Sequence, residues 1–391
     1  TYSKYRDSVF YDASAWSVAN FYNMKYRGLK AANLGEQIIS TESLNNVIPV
    51  PKSNYAYIMD WDDYYAPSAL YYMQSRGVIA ASAFKPFSSK TNIGNKYFHY
   101  GSIMIPVSKQ QKLSSNEVFE IVKQAQKKFN VPIYSVNTGF SMKGIDLGSN
   151  NFRALKKPKA AMLIGDGVSS YEAGEVWHLL DTRTNMPITK LQTNGLGRVS
   201  LDKYNTLVMV SGSYKTLDSI QRNKLRDWIA KGNTLVTIAS ASKWVVDKKL
   251  VKEKLTKKPK PKEKDKKDEV KLVERLPYVD AGENLGKERL GGGIYQVDLD
   301  ITHPIGFGYR NNILPVYKNN NVFLTPSANA YGTVAKYTKN PHIDGYISKN
   351  NMNTYLKPSA SLIISQIGQG RVIMFADNPN FRGAWYGTNK L

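Results

Sequence analysis

Apolar and polar positions in this chain follow two periods, and the change from one to the other marks its elements. Short unbroken apolar runs recur at Tyr55–Met59, Val78–Phe84, Gly101–Val107 and Val131–Val136, and again at Ala160–Ile164, Pro187–Leu191, Thr206–Val210 and Thr234–Ile238. Runs of that length bounded by turn residues predict buried strands. Between them, apolar residues fall at helical spacing. Pro67 to Arg76 predicts a short helix stopped by Gly77, and Ser114-Ser-Asn-Glu117 opens a second through Val118, Ile121, Val122 and Ala125. Tyr171–Leu180 and Asp218–Lys231 predict two more, the latter ended by Gly232 as a C-terminal cap. Further strands are expected at Ile294–Leu299, Asn321–Leu324, Ser361–Ile364 and Arg371–Ala376. This alternation predicts an α/β protein of two successive α/β units with mostly parallel sheets, the second of them flavodoxin-like. Residues 1–52 lack clean periodicity and read as a connector. Residues 53–157 read as a small α/β domain, and 158–391 as a larger one interrupted by a Lys-rich insertion at 248–271.

The stretch after Ala160–Ile164 carries the clearest site signal. Gly165-Asp-Gly-Val-Ser-Ser-Tyr-Glu172 is a glycine turn that runs into a helix with Ala173, Val176, Trp177 and Leu180 on one face. Strand, glycine turn and helix in that order form a ligand crevice at the carboxyl ends of the strands. Gly165, Asp166, Gly167, Ser169, Ser170, Tyr171 and Glu172 are therefore candidate ligand-binding residues, joined by Gly212 in the loop after Thr206–Val210. Ser169 or Ser170 would cap the helix, and Glu172 or Glu175 would complement its positive end.

Composition narrows the chemistry. The 391 residues include no cysteine, which excludes disulfides, thiolate nucleophiles and cysteine metal sites. The formal net charge is +23. From Lys243 to Arg275 there are fourteen Lys or Arg against seven Asp or Glu, a net of +7, and the rest of the chain still carries +16. Such a surface attracts polyanions, anionic glycans or envelope surfaces among them, but no motif points to specific nucleic acid. Lys248 to Lys271 has too few apolar residues to bury a core and is expected to be a solvated loop, with a polyanion-binding arm as the alternative. No apolar run is long enough for a transmembrane segment. The Thr1-Tyr-Ser-Lys-Tyr-Arg6 start, without an initiator Met or a hydrophobic leader, reads as an interior cut from a longer chain.

Several segments carry a family resemblance: Phe10-Tyr-Asp-Ala-Ser-Ala-Trp-Ser17, Asp146-Leu-Gly-Ser149, the Gly165–Asp181 stretch, Thr302-His-Pro304 with Gly306-Phe-Gly308, and Gly370–Gly383. Together they resemble the C-terminal, non-peptidase region of large bacterial zinc carboxypeptidases of the carboxypeptidase A type, in which a class I glutamine amidotransferase-like domain follows the peptidase. The resemblance implies that residues 1–52 follow a peptidase domain of the parent chain, which would be the main partner, with envelope proteins or anionic glycans as further ones. It also implies an exported, periplasmic or outer-membrane-associated protein. Zinc is implied only for that peptidase domain, and no cofactor is expected in this chain.

Catalysis is not expected within it. The peptidase centre needs His-x-x-Glu and a distant third His, and the four histidines, His99, His178, His303 and His342, do not provide them. His178 and Asp181 have ligand spacing on a helix, but no motif supplies a third ligand. The amidotransferase elbow is expected at Val208-Met-Val-Ser-Gly-Ser-Tyr214, where no cysteine stands. Ser211 or Ser213 with His303 as base remain weak candidates for a divergent serine hydrolase, although Met209 and Lys215 break the Gly-x-Ser-x-Gly pattern. The Gly165–Ser170 loop, the Ser211–Ser213 loop and the Thr302-His303 turn are expected to gather at one sheet edge. Arg382 and Trp385 are expected either to latch the C-terminal loop onto the sheet or to bind a carboxylate or sugar. The first reading is thus a non-catalytic accessory region for substrate positioning, domain packing or partner binding. A serine hydrolase and a basic polyanion-binding scaffold are the alternatives.

Overall fold

A computed structural model of the chain describes residues 17–31, 35, 47–257 and 275–391. A short helix, α1 (Val18–Phe21), precedes the first sheet. That sheet contains β1 (Ala56–Met59), β2 (Ala81–Ala83), β5 (Ile103–Pro106), β6 (Ile133–Val136) and β8 (Phe152–Ala154) in the order β6-β1-β5-β2-β8. Two helices, α2 (Ala66–Ser75) and α3 (Ser115–Phe129), join β1 to β2 and β5 to β6. A hairpin of β3 (Phe87–Thr91) and β4 (Gly94–Phe98), extended by β7 (Lys143–Gly144), covers the opposite face.

Every pairing in this sheet is antiparallel, contrary to the expected mostly parallel arrangement. Each helix does connect two strands that run the same way, but a third strand lies between them. β5 separates β1 from β2, and β1 separates β5 from β6. These are two interleaved split βαβ units, the ferredoxin-like plan. Val118, Val122 and Ala125 of α3 and Ala69 and Met73 of α2 meet Tyr57, Met59, Ile103 and Ile105 on one face. Phe87 and Phe98, stacked at 5.0 Å, meet Ala56, Ile58 and Met104 on the other. Both faces of β1 are therefore dry, as its unbroken apolar run requires. Ser114 opens α3 with the expected capping box, its hydroxyl accepting from the Glu117 N–H while the Glu117 carboxylate accepts from the Ser114 N–H.

The second sheet has nine strands: β9 (Ala160–Ile164), β10 (Thr189–Gln192), β11 (Thr206–Met209), β12 (Thr234–Ile238), β13 (Gly293–Leu299), β14 (Ile313–Lys318), β15 (Thr333–Gly345), β16 (Ala360–Ile367) and β17 (Gly370–Phe375). Their order is β10-β9-β11-β12-β17-β16-β15-β13-β14. The first five are mutually parallel, with Leu163 opposite Leu191 and Val208 opposite both Met162 and Val236. Counted along the chain, that half has the order 2-1-3-4-5, the flavodoxin-like doubly wound arrangement. The other four strands are antiparallel additions. Asn321–Leu324 is not a strand; Leu324 alone bridges Leu255 and Ala360. Helices α5 (Ser219–Ala230) and α6 (Ser240–Asp247) pack Leu225, Trp228, Ile229, Trp244 and Val245 on one face. Helix α4 (Ser170–Trp177) packs Ala173 and Val176 on the other, against Met162, Val208 and Val210.

Residues 258–271 of the Lys-rich insertion lie outside the described residues. Its first part is not a solvated loop: Leu250 and Val251 are buried against the α5–α6 layer, and the Thr256 N–H donates to the Phe323 carbonyl. The two sheets meet through Phe307, buried between Phe84 and Tyr100. Gly101, at φ +85°, is needed there because a Cβ would stand 2.6 Å from that of Phe307. Arg310 pairs with Asp62, and Lys390 donates to the carbonyls of Trp61 and Asp63.

Candidate functional site

The switch point of a 2-1-3-4-5 sheet lies between its first and third strands, here at the carboxyl ends of β9 and β11. In this chain the two loops that leave those strands are joined by backbone hydrogen bonds. Ser169 N–H donates to the Ser211 carbonyl and Ser213 N–H to the Gly167 carbonyl, both at 2.8 Å, and Val168 and Gly212 form a bridge. The glycines permit this approach. Gly167 has φ +75°, and a Cβ there would stand 2.4 Å from the Ser213 Oγ; a Cβ on Gly212 would stand 2.9 Å from the Gly167 carbonyl oxygen. A third loop ties in, since Gly212 N–H donates to Ser240 Oγ at 2.9 Å. The central crevice is therefore occupied by the chain itself.

Ser169 is the N-cap of α4, accepting from the Glu172 N–H at 3.3 Å. One turn on, Glu172 Oε2 accepts from the Ser211 N–H at 2.8 Å. Burial pushes this carboxyl above its usual range, against the hydrogen bonds from Ser211. Glu175, on the same helix face, is pushed up to about 7, chiefly by burial and further by the charge of Glu172. It accepts from Asn378 Nδ2 at 2.7 Å and from the Arg382 N–H at 2.6 Å, while Asn380 Nδ2 donates to its carbonyl. Glu175 therefore holds the segment after β17 against α4. The Arg382 backbone thus latches this segment to α4, and Trp385 is buried with its Nε1 donating to the Pro315 carbonyl.

The expected elbow at Ser211–Ser213 is not a sharp strand-to-helix turn, because Val210 to Asp218 separate β11 from α5. The sharp turn stands one strand further on. Ala239 alone joins β12 to α6, at φ +49° and ψ −115°, a backbone conformation that a residue with a Cβ rarely adopts. That is the geometry of a nucleophile elbow, and the position carries a buried methyl group.

His303 does not join this edge. It follows β13, whose Leu299 pairs with Ala335 near the start of β15, and the charge of Arg371 near the start of β17 acts on it. It therefore lies at the amino edge of the parallel strands, opposite Ser211. Its Nδ1 accepts from the Ile305 N–H at 3.2 Å, a turn-capping role, and burial lowers its pKa. His178 and Asp181 fall in the π-helical turn His178–Arg183. Among the described residues, no three His, Asp or Glu side chains are placed to hold a metal ion.

An open cavity of about 450 Å³ lies beside the closed crevice, between α4 and the outermost strands β9 and β10. Of the candidate ligand-binding residues, Gly165, Ser169 and Ser170 line it. Asp166, Gly167, Tyr171, Glu172 and Gly212 do not; the Tyr171 ring is 87% exposed. The other walls were not expected from sequence: Met162, Ile164, Ala173, Gly174, Trp177 and, across from them, Lys190 and Gln192. Gly165, at φ +110°, brings its backbone close to Gln192, where a Cβ would meet the amide oxygen at 2.4 Å. The Lys190 ammonium stands 5.1 Å from the centre of the Trp177 ring.

No helix among the described residues is long and apolar enough to cross a membrane. No family model matches the chain, and no curated protein does. Among solved structures, it is similar to a ThuA-like protein from Parabacteroides merdae, 13% identical over 59% of this chain and 88% of that one, with a TM-score of 0.36. A glutamine amidotransferase from Thermotoga maritima is 12% identical over 56% of this chain and 74% of that one, with a TM-score of 0.34. A β-galactosidase from Bacillus circulans sp. alkalophilus is 13% identical over 69% of this chain and 33% of that one, with a TM-score of 0.28. Likenesses this remote carry no argument about activity, and the fold assignment stands on strand order and register.

Proposed function

We propose that this chain is a non-catalytic accessory region that binds a ligand beside a closed switch point, and that it belongs to a zinc carboxypeptidase-like protein. The observation that carries the first part is the strained elbow at Ala239. A backbone held at φ +49° positions a side chain as a nucleophile is positioned, and the side chain there is a methyl group. Ser240, next to it in sequence, has its Oγ accepting from the Gly212 N–H, and Ser211 and Ser213 lie in the loop stitched to Gly167 and Ser169, with His303 at the far edge of the sheet.

The parent assignment rests on the sequence resemblance, above all the Gly165–Asp181 and Gly370–Gly383 segments. Zinc and peptide cleavage then belong to a peptidase domain outside this chain, and the role here is substrate positioning or domain packing. Export to the cell envelope follows from the same resemblance.

A fluorophosphonate probe and a chromogenic ester test the catalytic half. The expected result is no labelling and no turnover above the buffer rate. Labelling at Ser211 or Ser213, or ester turnover lost in Ser211→Ala, would overturn the reading in favour of a serine hydrolase.

A further inference from the structure

The cavity beside α4 has three features that together specify an occupant. Its floor is apolar, built from Met162, Ile164 and Ala173 with the Trp177 ring at one side. Lys190 is the one charged side chain among the described residues that line it. One of its walls is β10, the edge strand of the nine-stranded sheet, which among the described residues pairs with β9 on one side and with no strand on the other. An unpaired strand edge offers backbone donors and acceptors to an extended chain. Side chains of a strand added there alternate between the two faces, so every second one would project to the α4 side, over the cavity. A volume of about 450 Å³ accepts a large apolar side chain, and the Lys190 ammonium complements a negative charge at the rim.

We infer that the groove between α4 and β10 binds the C-terminal end of an extended peptide. In this arrangement the peptide backbone adds to β10, its last apolar side chain fills the cavity, and its terminal carboxylate pairs with Lys190. The inference deepens the binding role proposed above and rests on it. It names the ligand class as peptides with a free, apolar C-terminal residue.

The test is a calorimetric titration of the full chain with an N-acetylated tetrapeptide ending in leucine, offered as the free acid and as the C-terminal amide. The acid is expected to bind about tenfold or more tightly than the amide, since only it forms a charge-assisted pair. Lys190→Gln should erase that difference. Gly174→Leu should abolish binding of both, because Gly174 lines the cavity and a Cβ added there meets nothing within 4 Å, which leaves room for a side chain to enter it. Thermal unfolding of Gly174→Leu checks that the fold is kept.

Equal affinity for acid and amide, undiminished binding to Gly174→Leu, or no binding to the unmodified chain overturns the inference. Octanoate binding as tightly as the peptide acid overturns it too, by making the groove a small-molecule cavity. The mass of the recovered peptide separates the two levels. An intact but unbound peptide sinks the groove assignment alone, whereas a cleaved one sinks the non-catalytic reading.

Discussion

The two sheets of this protein arise from the same sequence pattern and end in different architectures. In the first, β1–α2–β2 and β5–α3–β6 are strand–helix–strand units, and so are β9–α4–β10 and β11–α5–β12 in the second. In the second sheet the joined strands lie side by side and parallel, as β11 and β12 do. In the first, each joined pair is split by a strand from the other unit, so every neighbour is antiparallel. A crossover helix fixes the relative direction of the strands it joins; it does not fix what lies between them. The consequence reaches the site. A parallel sheet with its order reversed has a crevice at its carboxyl edge, and the split sheet has none. The candidate site accordingly lies on the second sheet, while the first supplies a socket for Phe307.

The contrast can be broken most severely at Lys318. This lysine is fully buried at the end of β14, with its Nζ 3.1 Å from Asp377 Oδ1 and donating to the Val322 carbonyl at 2.6 Å. Burial lowers its pKa, and the Asp377 charge opposes that shift. Lys318→Met leaves a buried carboxylate without its cation and should cost about 3–5 kcal/mol. Urea unfolding followed by tryptophan fluorescence checks this, since most of the fluorescence change should report the second unit.

Phe307→Ala, the next in size, should cost about 3 kcal/mol by emptying the socket formed by Phe84, Tyr100 and Gly101. If the two sheets are separate folding units, calorimetry should then resolve two transitions. A single unshifted transition would show that Phe307 does not couple them. Ser114→Ala removes the capping box of α3 and should cost about 1 kcal/mol, confined to the first unit.

The smallest effect depends on pH. The folded-state pKa of Glu175 is about 7, raised above the unfolded value of about 4.3. Its contribution to stability is thus fully present below the unfolded value and lost as pH rises through about 7. Glu172 is shifted in the same direction. Melting temperatures measured between pH 4 and pH 8 should fall less steeply with pH in Glu175→Gln than in the unmodified chain.

Much of this fold was legible in the sequence where a short apolar run coincides with a strand buried on both faces. Ala160–Ile164 and Thr234–Ile238 are such strands, and their bounds agree with the structure to the residue. β15 is longer, but its Thr-Val-Ala-Lys-Tyr-Thr-Lys-Asn-Pro-His pattern mixes charges with a proline, because several of its side chains face water and its pairing is bulged. α6 is too short for a periodic signal. Of the residues that line the cavity, Gly165, Ser169 and Ser170 could be named from sequence because a glycine turn before a capped helix is a local feature. Lys190 and Gln192 could not, since they join the cavity only because β10 folds back to the outside of β9. Ala239 gave no sign either. An alanine before a helix is ordinary in sequence, and its left-handed backbone is visible only in three dimensions.

The C-terminal strap has a consequence for the order of events during synthesis. Residues 378–391 leave the ribosome after every segment they join: Glu175 of α4, Phe21 and Tyr22 near α1, and Trp61 and Asp63 beside the first sheet. The ferredoxin-like unit can assemble as soon as Ala154 has emerged, and the parallel half must wait for β17. The contacts of Lys390 with Trp61 and Asp63, and of Tyr386 with Tyr22, come last of all. The nascent chain therefore passes through a stage with two finished or nearly finished bodies, in which the seam at Trp61, Asp63 and Tyr22 still lacks its C-terminal contacts.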